Sequence, residues 1–167
     1  MLDLGKILFD GIVFALIGGA FILGIMAWNP RLFLNKGDFP ADILAAVPPK
    51  TPSERRQALI VGIPFLLAIV AVPLISTWQV GQQSGGEASL LLLALHAFAI
   101  LMAFSLFDLL VLDLLLFCTI TPRFMVVPGT EGFAGYKDRQ FHLRAHARSL
   151  PWMAVVALII AVLVYLL

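Results

Sequence analysis

The sequence predicts an all-α membrane protein: four transmembrane helices, two basic cytosolic loops, and both termini outside. Three observations lead there. Of 167 residues, 61% are hydrophobic and the mean hydropathy is +1.01, whereas a soluble domain is only about half apolar. The apolar residues fall into four runs of membrane length. All Lys and Arg except Lys6 lie in two of the intervening segments: Arg31, Lys36, Lys50, Arg55 and Arg56 in the first, Arg123, Lys137, Arg139, Arg144 and Arg148 in the second. Loops rich in Lys and Arg stay cytosolic during insertion. The expected organisation is one domain, 1–167, with spans near 7–28, 58–78, 88–117 and 151–167 and cytosolic loops at 29–57 and 121–150.

Span 1 runs from Ile7 to Trp28, an interfacial aromatic. Asp3 and Lys6 nearly cancel, and no small-residue cleavage site precedes a soluble domain, so a retained span is expected. Gly11, Ala15 and Gly19 recur every fourth residue, as do Ala20 and Gly24. Small residues at that spacing let helices approach closely in lipid. They serve either packing within the chain or homodimerisation.

In the first loop, Pro40 to Val47 is expected to form one or two helical turns. Ile43, Leu44 and Val47 would face the membrane surface, with Asp38 and Asp42 solvated. Thr51-Pro52-Ser53-Glu54 is a capping box with proline at the first helical position. The second helix therefore starts before its membrane entry near Ala58. Pro64 and Pro73 each remove a backbone donor, and kinks are expected there. The Gly-rich segment from Gln79 to Glu87 has no Lys or Arg and reads as an outside hairpin.

Span 3 stretches from Ala88 to about Ile120, longer than the roughly 20 residues a bilayer needs. It carries His96, Ser105, Asp108 and Asp113. Thr119 to Val127 is rich in β-branched residues and is expected to be extended. Lys137 to Arg148 reads as a short basic surface helix carrying His142 and His146. Span 4, Pro151 to Leu167, is near the lower limit of about 17 residues for crossing.

Few residues could carry chemistry. Asp108 and Asp113 are ionisable groups near membrane depth, a functional signal in themselves. They are either proton- or cation-binding carboxylates or interfacial partners of loop arginines such as Arg123 or Arg144. At about 100° per residue, an α-helix points the two acids about 140° apart and His96 about 100–120° from either. No single face unites the three. His142 and His146 share a helical face at i, i+4, as metal ligation requires, but Leu143 stands where a His-Glu-x-x-His motif needs glutamate. Haem held between His96 and another histidine in the bilayer would need a second subunit. The stretch from Pro128 to Asp138 lacks a P-loop ending, although its amides could meet an anion. Cys118 is the single cysteine, so no internal disulfide can form.

The runs Pro48-Pro49-Lys50-Thr51 and Ile63-Pro64-Phe65, the stretch Phe107-Asp108-Leu109-Leu110-Val111-Leu112-Asp113, and Thr121-Pro122-Arg123-Phe124 followed by Pro128-Gly129-Thr130-Glu131-Gly132 resemble an uncharacterised family of small four-span bacterial integral membrane proteins. The resemblance covers most of the chain. It implies a bacterial cytoplasmic (inner) membrane and no activity, so it assigns no functional residue.

The expected function is that of a non-enzymatic subunit or assembly component. Its partners would be membrane lipid and a second copy or another membrane protein, and no nucleic acid. Two alternatives stay open. One is a small oligomeric proton- or cation-linked transporter using the span-3 carboxylates. The other is a metal- or haem-binding subunit built on His142, His146 and a span-3 carboxylate, Asp108 or Asp113. The sequence names no cofactor.

Overall fold

The computed structural model describes residues 2–167. Four helices are long and apolar enough to cross a membrane: Leu4–Trp28, Pro52–Gln83, Leu90–Ile120 and Arg139–Tyr165. The helices are α1 (Leu4–Trp28), α2 (Ala41–Ala46), α3 (Pro52–Gln83), α4 (Leu90–Phe107) and α5 (Arg139–Tyr165). Between α4 and α5 lie a π-helix, Asp108–Ile120, and two short 3-10 turns, Arg123–Met125 and Ala134–Lys137. No strand occurs among the described residues. Thr119 and Ile120 therefore close a helix instead of starting an extended segment.

Many large apolar side chains on α1 and α3 are exposed: Leu8, Phe9, Ile12, Leu59, Ile63 and Leu66 are each more than half exposed. In water such a surface would exceed any patch a monomer tolerates. In lipid it is the expected exterior.

The chain divides into two compact units. The first comprises the segment up to Gly18, Phe65–Leu106 and Arg148–Leu167. Lipid supplies little hydrophobic drive between helices, so close packing must hold them. Gly11 lets α1 approach α4 so nearly that a Cβ there would lie 2.7 Å from the Ala103 Cβ. Phe14 stacks on Phe104 at 4.8 Å between ring centroids. α4 and α5 also pack together, through buried Ala97, Leu101, Ala157 and Ile160.

The second unit comprises Gly19–Pro64 and Phe107–Ala147. Its core is Met26, Phe39, Ile43, Phe117, Cys118, Met125, Val127 and Tyr136. Ile43 is completely buried, so α2 turns its apolar face into this core and not toward a membrane surface. Asp42 is likewise engaged: its Oδ2 accepts from the Gly135 N–H at 2.9 Å.

The capping box forms. Thr51 Oγ1 accepts from the Glu54 N–H at 3.2 Å, and Glu54 Oε2 accepts from the Thr51 N–H at 2.7 Å. Arg31 Nε donates to Glu54 Oε1 at 2.5 Å and ties the loop entrance to the helix start.

α3 is continuous through Pro64 and Pro73. α5 is continuous through Pro151. The basic segment and the fourth span are thus one helix, because proline at 151 costs only local bonds within a strongly helical run. Tyr136 organises the second loop. Val127 N–H donates to its Oη at 2.8 Å, and Thr130 Oγ1 lies 2.8 Å from the same oxygen. Thr130 spends its own hydroxyl hydrogen on the Val127 carbonyl at 2.7 Å, so Tyr136 must be the donor to Thr130.

Candidate functional site

The π-helix decides how the acids are presented. Its hydrogen bonds run i→i+5 instead of i→i+4, which widens the coil and stacks residues five apart on one side. Asp108 and Asp113 are five apart. The divergence expected of an α-helix is therefore overturned, and the two carboxylates face the same neighbour. The wide turn is fastened at its end. Thr121, in the left-handed region at φ 52°, donates its N–H to Leu116 O at 2.7 Å, five residues back. Thr119 Oγ1 donates to Leu114 O at 2.7 Å, also five back. Lys137 Nζ then donates to Thr121 Oγ1 at 2.6 Å and to Thr119 O at 3.2 Å.

The neighbour is the first part of α5. His146 Nε2 lies 3.0 Å from Asp113 Oδ2 and 3.7 Å from Asp108 Oδ2. His142 Nδ1 lies 3.0 Å from the same Asp113 oxygen. The acids thus meet histidines, while Arg144, offered by sequence as their partner, donates to Gln140 Oε1 at 2.8 Å.

Asp108, Asp113 and His146 each offer a ligand atom, and these atoms all lie within 4.8 Å of one another. Around a tetrahedral zinc with bonds near 2.0–2.1 Å, ligand atoms sit about 3.3 Å apart. Closing on an ion would need shifts of roughly an ångström, within side-chain freedom.

The histidine pair has divided roles. His142 is buried and held edge-on by Phe117, with centroids 5.0 Å apart, and by Phe141 at 5.1 Å. Facing an acceptor-only carboxylate, Nδ1 carries the ring proton. Its Nε2 has no hydrogen-bond partner among the described residues. His142 therefore orients Asp113, as the supporting hydrogen bonds around metal ligands do. Of the i, i+4 pair, only His146 belongs to the group of ligand atoms that converge within 4.8 Å.

Asp38, in the first loop of the same unit, is close enough to act electrostatically on this group. Burial raises its carboxyl above the usual value, and Asp113 pushes the same way; Asn35 and Lys50 oppose the rise.

The other sequence candidates fall elsewhere. His96 belongs to the first unit, where its Nε2 lies 2.9 Å from Ser76 Oγ. Ser76 Oγ donates to Asp10 Oδ2 at 2.5 Å, and Lys6 Nζ donates to that oxygen at 2.7 Å. The sequence reading passed over Asp10, although a carboxylate four residues after a lysine in an apolar run was a visible signal. Gly11 and Ala15 are buried in the first unit, and Gly19 faces Phe107 in the second. Ala20 and Gly24 are exposed. The glycine-bearing stretch offers no free nest at two of its amides: Gly129 N–H goes to the Glu131 carboxylate at 3.0 Å and Gly135 N–H to Asp42.

No protein-family model, curated protein or solved structure matches the chain. Its multi-pass membrane character rests on its four long apolar helices, and its chemistry on the geometry of its own residues.

Proposed function

We propose that this chain is a bacterial inner-membrane protein that binds one divalent transition-metal ion at Asp108, Asp113 and His146. The convergence of those three ligand atoms within 4.8 Å carries the reading. Imidazole with carboxylate suits zinc, iron or manganese better than the hard all-oxygen ions. Charge favours it as well. An ionised carboxylate at membrane depth is costly, and two adjacent ones repel. A dication between them offsets both penalties. Three protein ligands leave a further position for water or a substrate, the pattern of working sites more than of structural ones. Asp108, with a side chain 28% exposed, is the accessible edge.

Orientation belongs to the same proposal. Both basic loops, Arg148 excepted, lie in the unit that holds the centre, so the positive-inside tendency places the centre toward the cytosol and both termini outside. A groove of about 470 Å³ there is lined by Leu34, Leu44, Val47, Lys36, Lys50 and Arg55, which suits anionic lipid headgroups. The exposed Ala20 and Gly24 suit contact with a second copy. The assembly role thus remains compatible with a metal centre.

The test is elemental analysis of protein purified without a polyhistidine tag. About one zinc, iron or manganese per chain is expected, falling to background in Asp113→Asn and His146→Gln. Background metal in the parent protein, with no uptake of added zinc, iron or manganese, would end the proposal.

A further inference from the structure

The first unit contains a second polar group, independent of the metal centre. Lys6, Asp10, Ser76 and His96 are joined by contacts of 2.7, 2.5 and 2.9 Å. Ser76 is 3% and His96 1% exposed, whereas the side chains of Lys6 and Asp10 are 15% and 19% exposed. The chain of contacts therefore runs from a partly exposed end to a fully buried one.

Hydrogen counting fixes the protonation pattern. Ionised Asp10 only accepts, and Lys6 donates to it. Ser76 has one hydroxyl hydrogen and gives it to Asp10. It can then only accept from His96, so Nε2 must carry the imidazole proton. Nδ1 is left as a bare lone pair. It is buried and has no hydrogen-bond partner among the described residues. A histidine kept only for packing has both nitrogens satisfied, since buried polar groups are nearly always paired.

A second pattern uses the same heavy atoms. With Asp10 protonated, its hydroxyl donates to Ser76, Ser76 donates to Nε2, and the ring proton sits on Nδ1. The two patterns differ by one proton. We propose that His96, Ser76 and Asp10 form a proton wire with Nδ1 as its buried acceptor. A proton from a hydronium ion, which leaves as water, bonds to Nδ1 while the Nε2–H bond breaks. That second proton passes to Ser76 Oγ, and the serine proton passes to Asp10 Oδ2. The imidazole ends neutral, Asp10 ends as the acid, and the hydronium proton is the only reactant consumed. Lys6, also held by Gln79 Oε1 at 2.6 Å, donates to the Asp10 oxygen at the outer end of the wire.

The charged groups acting on His96 are Lys6, Asp10 and Asp3, all on the N-terminal segment. α3 faces it with the neutral Ser76, and α5 carries no Asp, Glu, Lys, Arg or His from 149 to 167.

The test is NMR of the full chain in lipid nanodiscs, with ¹⁵N-labelled histidine and ¹³C-labelled aspartate, titrated from alkaline to acid. The expected result is an Nε2–H ring at high pH. It should convert to a neutral Nδ1–H ring at the same pH at which Asp10 takes up its proton. Ser76→Ala should uncouple the two events, and Ser76→Thr, which keeps the hydroxyl, should restore the coupling. An Nδ1–H ring at every pH, or unchanged coupling in Ser76→Ala, would overturn the wire. If the alanine variant does not fold, the parent titration still decides, because separate titration of His96 and Asp10 would overturn it too.

Discussion

At the scale of single residues, Asp113 matters most, because two imidazoles converge on one of its oxygens. Replacing it with asparagine keeps the shape and removes the charge. Asp113→Asn is expected to abolish stoichiometric metal binding, whereas His142→Gln, which removes only the orienting contact, should weaken it about 10–100-fold. Isothermal titration with zinc on both variants checks the ranking. Asp38 gives a pH-dependent prediction. Its folded-state value lies above the ordinary 3.8, so the folded chain holds this proton more tightly than the unfolded one. Stability is then lost as pH rises from about the unfolded value through the raised folded one. Asp38→Asn removes that loss. Thermal unfolding in detergent should show the variant more stable than the parent at neutral pH, with the advantage vanishing in acid. The sequence exposed the chemistry of Asp108, Asp113, His142 and His146 as residue types. It hid the Asp10–Ser76–His96 contacts, which join three helices and leave no local pattern.

At the scale of elements, the π-helix was the illegible feature. Leu109 to Leu112 is apolar throughout, so no periodicity distinguishes one helical winding from another. The 140° divergence followed from assuming α geometry. The tertiary ties at Thr119, Thr121 and Lys137 select the wider coil. The start of α3 was legible because a capping box is a local hydrogen-bond pattern. α2 was legible as a helix, but the direction of Ile43 was not, since its partners Phe39 and Tyr136 include one far along the chain. Close packing of α1 on α4 also predicts at this scale. Gly11→Ala would press a Cβ against Ala103 at 2.7 Å, and overpacking of this kind costs about 1–3 kcal/mol. Gly24→Ala has nothing within 4 Å of the new atom and should leave packing within the chain unchanged. Thermal unfolding of the two variants separates them.

At the scale of the whole molecule, the partition of charge carries the most. Four membrane-length helices were legible because spans are specified by composition and length. Their limits were only partly so: α3 starts at its capping box as read but runs on to Gln83, and α5 begins at Arg139, fusing the basic segment to the span. The proposed topology rests on the basic loops. With Cys118 replaced by alanine, single cysteines at Lys36 and Lys137 should react with an impermeant maleimide only after the cells are opened, and one at Gln82 should react in intact cells. The opposite labelling would invert the orientation. In the proposed centre, a wide helical turn and α5 hold one metal ion with a single imidazole ligand. The most direct measurement is pulsed EPR on the copper(II)-loaded protein, which counts coordinated imidazoles. One imidazole coupling is expected, retained in His142→Gln and lost in His146→Gln. No bound copper, or a coupling that survives in His146→Gln, would contradict it.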